Sequence, residues 1–281
     1  MKLLPIVLTI LIFIISCKSE NIRNEEVKVI ENNVQKSNDS IVHFENNEQI
    51  ITRDKSFRAF LNKAQFNFIF FQKRINIPLK IERRNETIEI SDLENESISL
   101  MSYTNESYFP YIMFSESNLF ENEIATKGKV VLTRVNRNNE TFESFFFENN
   151  DSIWLLKKIK ENNLSSINGF NIFLEFLEKF SSDSTYQIQR IIFPLHYKFV
   201  DSDNDYKFEN KTINKGDWNH VNIISKLEIL LIVDYEFDNL NKVQESILIY
   251  FGGIECGISV EYLFKRIGNS WYLTNMNDLS T

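Results

Sequence analysis

The sequence predicts an α+β protein built as two tandem domains, each an N-terminal helix packed on a curved antiparallel sheet, and three observations carry that prediction. A segment recurs: Arg74-Ile75-Asn76-Ile77-Pro78-Leu79 returns 116 positions later as Arg190-Ile191-Ile192-Phe193-Pro194-Leu195, using two of only four prolines. Ahead of each copy lies a Phe-rich stretch with apolar residues at helical spacing. Behind each copy, short apolar runs separated by turn residues lead to a tryptophan, Trp154 in one half and Trp271 in the other, 117 positions apart. Two landmarks with nearly the same separation imply a repeat of about 115 residues, a normal domain size.

Residues 1–16 read as a lipoprotein signal peptide. Lys2 gives the charged start, residues 3–15 the apolar core and Ser16 the small residue at the cleavage site. As a helix the apolar run covers roughly 20 Å, short of the ~30 Å hydrocarbon core of a bilayer. The junction Ile14-Ile15-Ser16-Cys17 resembles a bacterial lipobox, which implies a diacylglyceryl group on the Cys17 sulfur. Two or three acyl chains, at about 0.8 kcal/mol per buried CH₂, hold a protein on a membrane for long periods. Lys18 rather than Asp follows the cysteine, which by resemblance to known sorting rules implies the outer membrane. Residues 17–52, rich in Asn, Glu, Lys and Ser, read as a flexible tether with an average reach of about 30 Å. Asp39-Ser40-Ile41 within it, like Asp151-Ser152-Ile153, resembles an O-glycosylation site of the Bacteroidota.

The first α+β repeat, residues 53–164, opens with Phe57, Phe60, Leu61, Ala64, Phe68 and Phe71 on one helical face, behind Asp54 as N-cap. Strands follow at 129–135, 141–147 and 153–159. The second repeat, residues 165–281, places Phe170, Phe173, Leu174, Leu177 and Phe180 on a helical face and strands at 226–237, 243–250, 258–265 and 271–276.

A Phe-rich helix, then Arg-Ile-x-apolar-Pro-Leu, then a meander closing on a strand with Trp, resembles the Bacteroidota lipoproteins grouped as domain of unknown function 4348. The resemblance runs from about Arg53 to the C-terminus in two copies, and the first departs from it at Asn76 and Ile77. It implies a nuclear-transport-factor-2-like fold, a cone of bent sheet around helices, with no established activity and no catalytic residue to transfer.

A net charge of −8, or −9 once Lys2 leaves with the signal, offers nothing to a phosphate backbone, so no nucleic acid is expected as a partner. With 43% hydrophobic residues and 25 Phe, the chain has ample material for a packed core. Once Cys17 is acylated, Cys256 stands alone and no intramolecular disulfide is possible.

Motifs for chemistry are weak. His43, His196 and His220 lack metal-ligand spacing with each other or with Cys256, so no metal and no cofactor are expected. Asp201-Ser202-Asp203-Asn204-Asp205 has the carboxylates of a calcium loop, but Tyr206 stands where glycine is required and Thr212 where glutamate is required. Three of seven glycines fall within 252–257, yet an alternating strand follows instead of a helix, which points to a bent hairpin. Cys256 there reads as a small buried hydrophobe. Trp218, on a loop, is either a recognition residue or a lid on the core. Arg74 and Arg190, repeated at the helix-to-strand junction, read as partners of helix C-terminal carbonyls.

The candidate pocket residues are therefore His196, Trp218, Arg190 and Cys256. The leading expectation is a non-enzymatic, lipid-anchored envelope protein that binds a small ligand, a glycan or another envelope protein. The alternative is an enzyme of the isomerase or dehydratase type, with a pocket in the second repeat.

Overall fold

Helix formation begins at Ser56, whose hydroxyl accepts from Ala59 N and caps α1 (Phe57–Phe66). Asn67 then adopts an extended backbone and accepts from Phe70 N, so the helix stops and restarts as α2 (Phe68–Gln72). The described strands of the first half are β1 (Ile75–Arg83), β2 (Glu86–Ile90), β3 (Tyr108–Met113), β4 (Lys129–Asn136), β5 (Thr141–Asn150) and β6 (Ile153–Asn163). The second half runs through the same order: α3 (Asn168–Ser182), α4 (Ser184–Gln189), β7 (Ile191–Asp201), β8 (Lys207–Ile213), β9 (Ile229–Asp234), β10 (Ser246–Gly253), β11 (Ser259–Ile267) and β12 (Ser270–Asp278). Asp183 performs the role of Asn67, accepting from Thr185 N and Tyr186 N at the start of α4.

This computed structural model describes residues 53, 54, 56–93, 98–100, 108–116, 128–224, 228–235, 239–253 and 257–281. Cys17, the signal, the tether and Cys256 lie outside them. Among the described residues no helix is long and apolar enough to cross a membrane.

Two tandem cones are the expectation, whereas the twelve strands among the described residues form one sheet in the order β2-β1-β6-β5-β4-β9-β3-β10-β11-β12-β7-β8. The halves exchange their third strands: β3 pairs with β10 of the second half, and β9 pairs with β4 of the first. Where they meet, β3 and β9 run parallel, with Tyr111 opposite Leu231 and Ile112 opposite Ile232. A physical reason lies in β9, Ile-Leu-Leu-Ile-Val-Asp, which is apolar on both faces and needs cover on both.

Side chains alternate across a strand, and here the alternation feeds two cores. Tyr111, Met113, Leu231, Val233, Leu248 and Tyr250 join α1 in one. Ile112, Leu230, Ile232, Ile247 and Ile249 join α3 in the other. The two helices therefore cover opposite faces of the shared centre. Burying one of these aliphatic side chains contributes roughly 1.5–3 kcal/mol.

Aromatic packing is alike in the two cores. Phe57 meets Trp154 edge-on at 5.0 Å and Phe147 at 5.4 Å; Phe173 meets Trp271 at 5.0 Å and Phe264 at 5.7 Å. A register shift sits between Phe146 and Phe147 and again between Leu263 and Phe264, where a bulge bends the strand around its helix.

Two local expectations are corrected. Ser56 is the N-cap, while Asp54 is buried and paired with Arg74. Phe68, expected on the buried face, lies at the Asn67 elbow and is half exposed.

Candidate polar cleft

At one end of the first half the register sets charges side by side. Glu86 faces Arg83, Arg83 faces Glu161, Glu161 faces Glu143 and Glu143 faces Arg134. Directly paired residues share a face, so the row crosses five strands from β2 to β4. Arg83 Nε donates to Glu161 Oε2 at 3.1 Å and Arg134 donates to Glu143, which offsets the repulsion between the two facing carboxylates. In the β1–β2 turn, Arg84 donates to Asn163 Oδ1. Without Arg134, the row joins Arg84, Asn85, Thr141, Phe142 and Asn162 in lining an open cleft of about 560 Å³.

Phe142 is buried in the core served by α3, and the cleft presents guanidinium, amide, hydroxyl and carboxylate groups beside a comparable apolar surface. Two arginines and three glutamates nearly balance. Such a surface offers many donors and acceptors without a strong field, which suits a neutral ligand rich in hydroxyls.

The matching row of the second half has a different chemistry. Glu209 faces Phe199, Phe199 faces Asp278, Asp278 faces Val260 and Val260 faces Phe251. Tyr197 stacks on Phe199 with centroids 5.5 Å apart, and the Lys211 ammonium lies 4.9 Å and 4.6 Å from the two ring centres. Burial, the negative charge of Asp278 and a hydrogen bond to it push the Tyr197 phenol up to about 12. Burial, then Asp278, then Tyr197 raise Tyr262 as well.

At the opposite end of β1 and β6 from the first half's row sits an ion pair. Arg74 Nη1 is 3.1 Å from Asp54 Oδ2, and both side chains are almost fully buried. Asp54 also accepts from Trp154 N at 3.2 Å. Desolvation pushes the Asp54 carboxyl above its ordinary range, opposed by the Trp154 N–H and by Arg74.

The residues singled out by sequence have mostly structural partners. Arg190 donates to Tyr272 Oη at 3.1 Å and lies over the rings of Tyr186 and Tyr272, so it meets tyrosines rather than helix carbonyls. Trp218 is half buried; its indole donates to Gln187 Oε1 at 3.0 Å and its ring faces Phe193. Both residues are thereby held to the α4 segment. His196 is exposed in mid-strand on β7, opposite Thr212 and Asn275. Asp201, Asp203 and Asp205 belong to the β7–β8 turn, where Asp201 Oδ1 accepts from Asp203 N. Among the described residues no group of three or more His, Cys, Asp or Glu is placed to hold a metal.

Sequence reasoning missed the row of Glu86, Arg83, Glu161, Glu143 and Arg134. Each stands alone in an amphipathic strand, and only the register between distant strands makes them neighbours.

A family profile described as "Domain of unknown function (DUF4348)" matches residues 36–278. Among solved structures, the chain is similar to an NTF2-like protein from Bacteroides fragilis NCTC 9343. The TM-score is 0.62 at 19% identity, covering 82% of this chain and 98% of that one. At that identity the likeness establishes an NTF2-like, α+β fold. A search of curated proteins gives no significant match.

Proposed function

Since the chain belongs to the family described as Domain of unknown function (DUF4348), whose description states no activity, we propose a function from the site itself: a lipid-anchored envelope protein that binds neutral oligosaccharide, without catalysis, in the polar cleft of its first half. The observation that carries this reading is the open cleft of about 560 Å³ with nearly balanced charge, beside two cores filled with Phe, Leu and Trp. A saccharide is bound by many weak hydrogen bonds, and Arg84, Asn85, Asn162 and the Glu161 carboxylate supply both signs of partner. The anchor is the acylated Cys17, the location the outer membrane, and the two halves are read as copies of one ancestral repeat.

Titration of the protein with cello-, chito- and manno-oligosaccharides, followed by amide chemical shifts, tests the cleft. Shifts confined to residues 83–86, 141–143 and 161–162, lost in Arg84→Ala/Asn162→Ala, are the expected result. No response to any probe, or a response elsewhere, rejects the reading. Growth with an alkynyl palmitate tests the anchor: label is expected on the full chain and none on Cys17→Ser.

A second reading, catalysis in the second half, has one observation in its favour, the carboxylate of Asp278 beside Tyr197 and Tyr262. Saccharide-dependent shifts centred on Asp278 instead of Arg84 would move the site there.

A further inference from the structure

The two halves differ at one helical elbow. In the first half, Phe66 is 65% exposed, Phe68 49% and Ile69 68%. In the α3–α4 elbow, 116 positions later, the corresponding residues are Ser182, Ser184 and Thr185. Both elbows are fixed by a side-chain cap, Asn67 in one and Asp183 in the other. The fold thus accepts polar residues at these sites and does not account for three adjacent exposed apolar ones.

Charge separates the elbows too. Residues 55–81 hold six basic side chains and no acidic one, in a protein of net charge −8; residues 171–197 hold two basic and three acidic. Arg58 is bound to Tyr250 and Arg74 to Asp54. Lys63 and Lys73, however, are exposed on either side of the elbow, with the Lys63 ammonium 4.4 Å from the Phe70 ring centre.

We infer that the α1–α2 elbow inserts Phe66, Phe68 and Ile69 into an anionic lipid surface, with Lys63 and Lys73 at the headgroups. Aromatic and branched apolar side chains flanked by lysine are the chemistry that enters the interfacial layer, and basic residues draw it to anionic headgroups. Charge complementarity favours this occupant over a second copy of the chain, whose net charge is negative but whose own elbow is basic. The inference rests on the anchored reading only for supplying a nearby bilayer; α1 opens the folded unit, on the Cys17 side of the chain.

The test uses the chain from residue 18 onward, without signal or lipid, since Ile51–Thr281 forms a compact unit. It is sedimented with vesicles of phosphatidylcholine alone or mixed with phosphatidylglycerol. Binding to the mixed vesicles is expected, weakened by salt, reduced at least tenfold in Phe66→Ser/Phe68→Ser/Ile69→Thr and several-fold in Lys63→Gln/Lys73→Gln. Unchanged melting temperatures show that the variants fold. Absence of vesicle binding, or undiminished binding by the apolar variant, overturns the inference. So does a dimer that forms without lipid and dissociates in the apolar variant, which would assign the elbow to a second copy. Loss of palmitate labelling on the full chain would remove the anchor and leave the vesicle result readable, because the tested chain carries no lipid.

Discussion

Asp54 and Arg74 show how far a single pair can carry a local structure. The carboxylate ties the Arg74 guanidinium to the start of β6 through Trp154 N, and neither side chain has water to fall back on. Asp54→Ala leaves a buried guanidinium without its counter-ion and is expected to cost about 3–5 kcal/mol in urea unfolding, whereas Asp54→Leu/Arg74→Met recovers most of that loss. At the position 116 residues beyond Asp54 the chain has Phe170, and the repeated arginine turns instead to Tyr272. Gln187 carries a comparable burden. Fully buried, it donates to Phe180 O and Val221 O and accepts from Trp218 Nε1 and Val221 N. Gln187→Leu strands four partners and is expected to lower stability by at least about 3 kcal/mol. Tyr197 gives a pH test. Its phenol ionises near 10 when unfolded and at about 12 when folded, so the folded state holds the proton more tightly. That contribution is complete below pH 10 and is lost as pH rises from there toward 12. Phenolate absorbance should show a component near 12 that disappears in Tyr197→Phe and moves down in Asp278→Asn.

At the scale of elements, what the sequence disclosed depended on whether the signal was local. The helical face of Phe170, Phe173, Leu174, Leu177 and Phe180 is buried as its spacing implies, and 129–135, 141–147 and 153–159 fall within β4, β5 and β6. Phe68 fails the same spacing rule because Asn67 ends one helix and caps the next, and a side-chain cap overrides periodicity. The charged cleft and the exchanged strands were illegible for a different reason. Both depend on which strands pair, and Glu143 meets Glu161, or β9 meets β4, only through register. The exchange is testable strand by strand. Ile112 belongs to the first half yet packs in the core of α3, and Leu231 belongs to the second yet packs in the core of α1. Ile112→Ala and Leu231→Ala are each expected to cost about 2–5 kcal/mol. Amide shifts should report the damage in the opposite half, around Phe173 for Ile112→Ala and around Phe57 for Leu231→Ala. Disturbance confined to the mutated half would contradict the strand order.

For the whole molecule, exchange turns two similar halves into one folding unit. A half that kept its own third strand would end in an edge, with one face of that strand bare. In the observed sheet β3 and β9 lie at the centre and are covered on both faces, so each half supplies part of the other's core. Cooperativity follows from that arrangement, because opening either half exposes Leu230 and Ile232 on one side or Leu231 and Val233 on the other. Calorimetry should therefore show one transition for the full chain, with equal calorimetric and van't Hoff enthalpies, of roughly 160 kcal/mol near 60 °C for a unit of this size. Independent tandem domains would instead give two transitions of about half that enthalpy. Chains covering 53–164 and 165–281 separate the same alternatives. Each is expected to lack sharp melting alone and to regain it when the two are mixed, since β9 can then reach β4 and β3 can reach β10. A half that melts cooperatively by itself would show that its third strand can close its own core, and the exchange would then be a choice between two packings rather than a condition for folding.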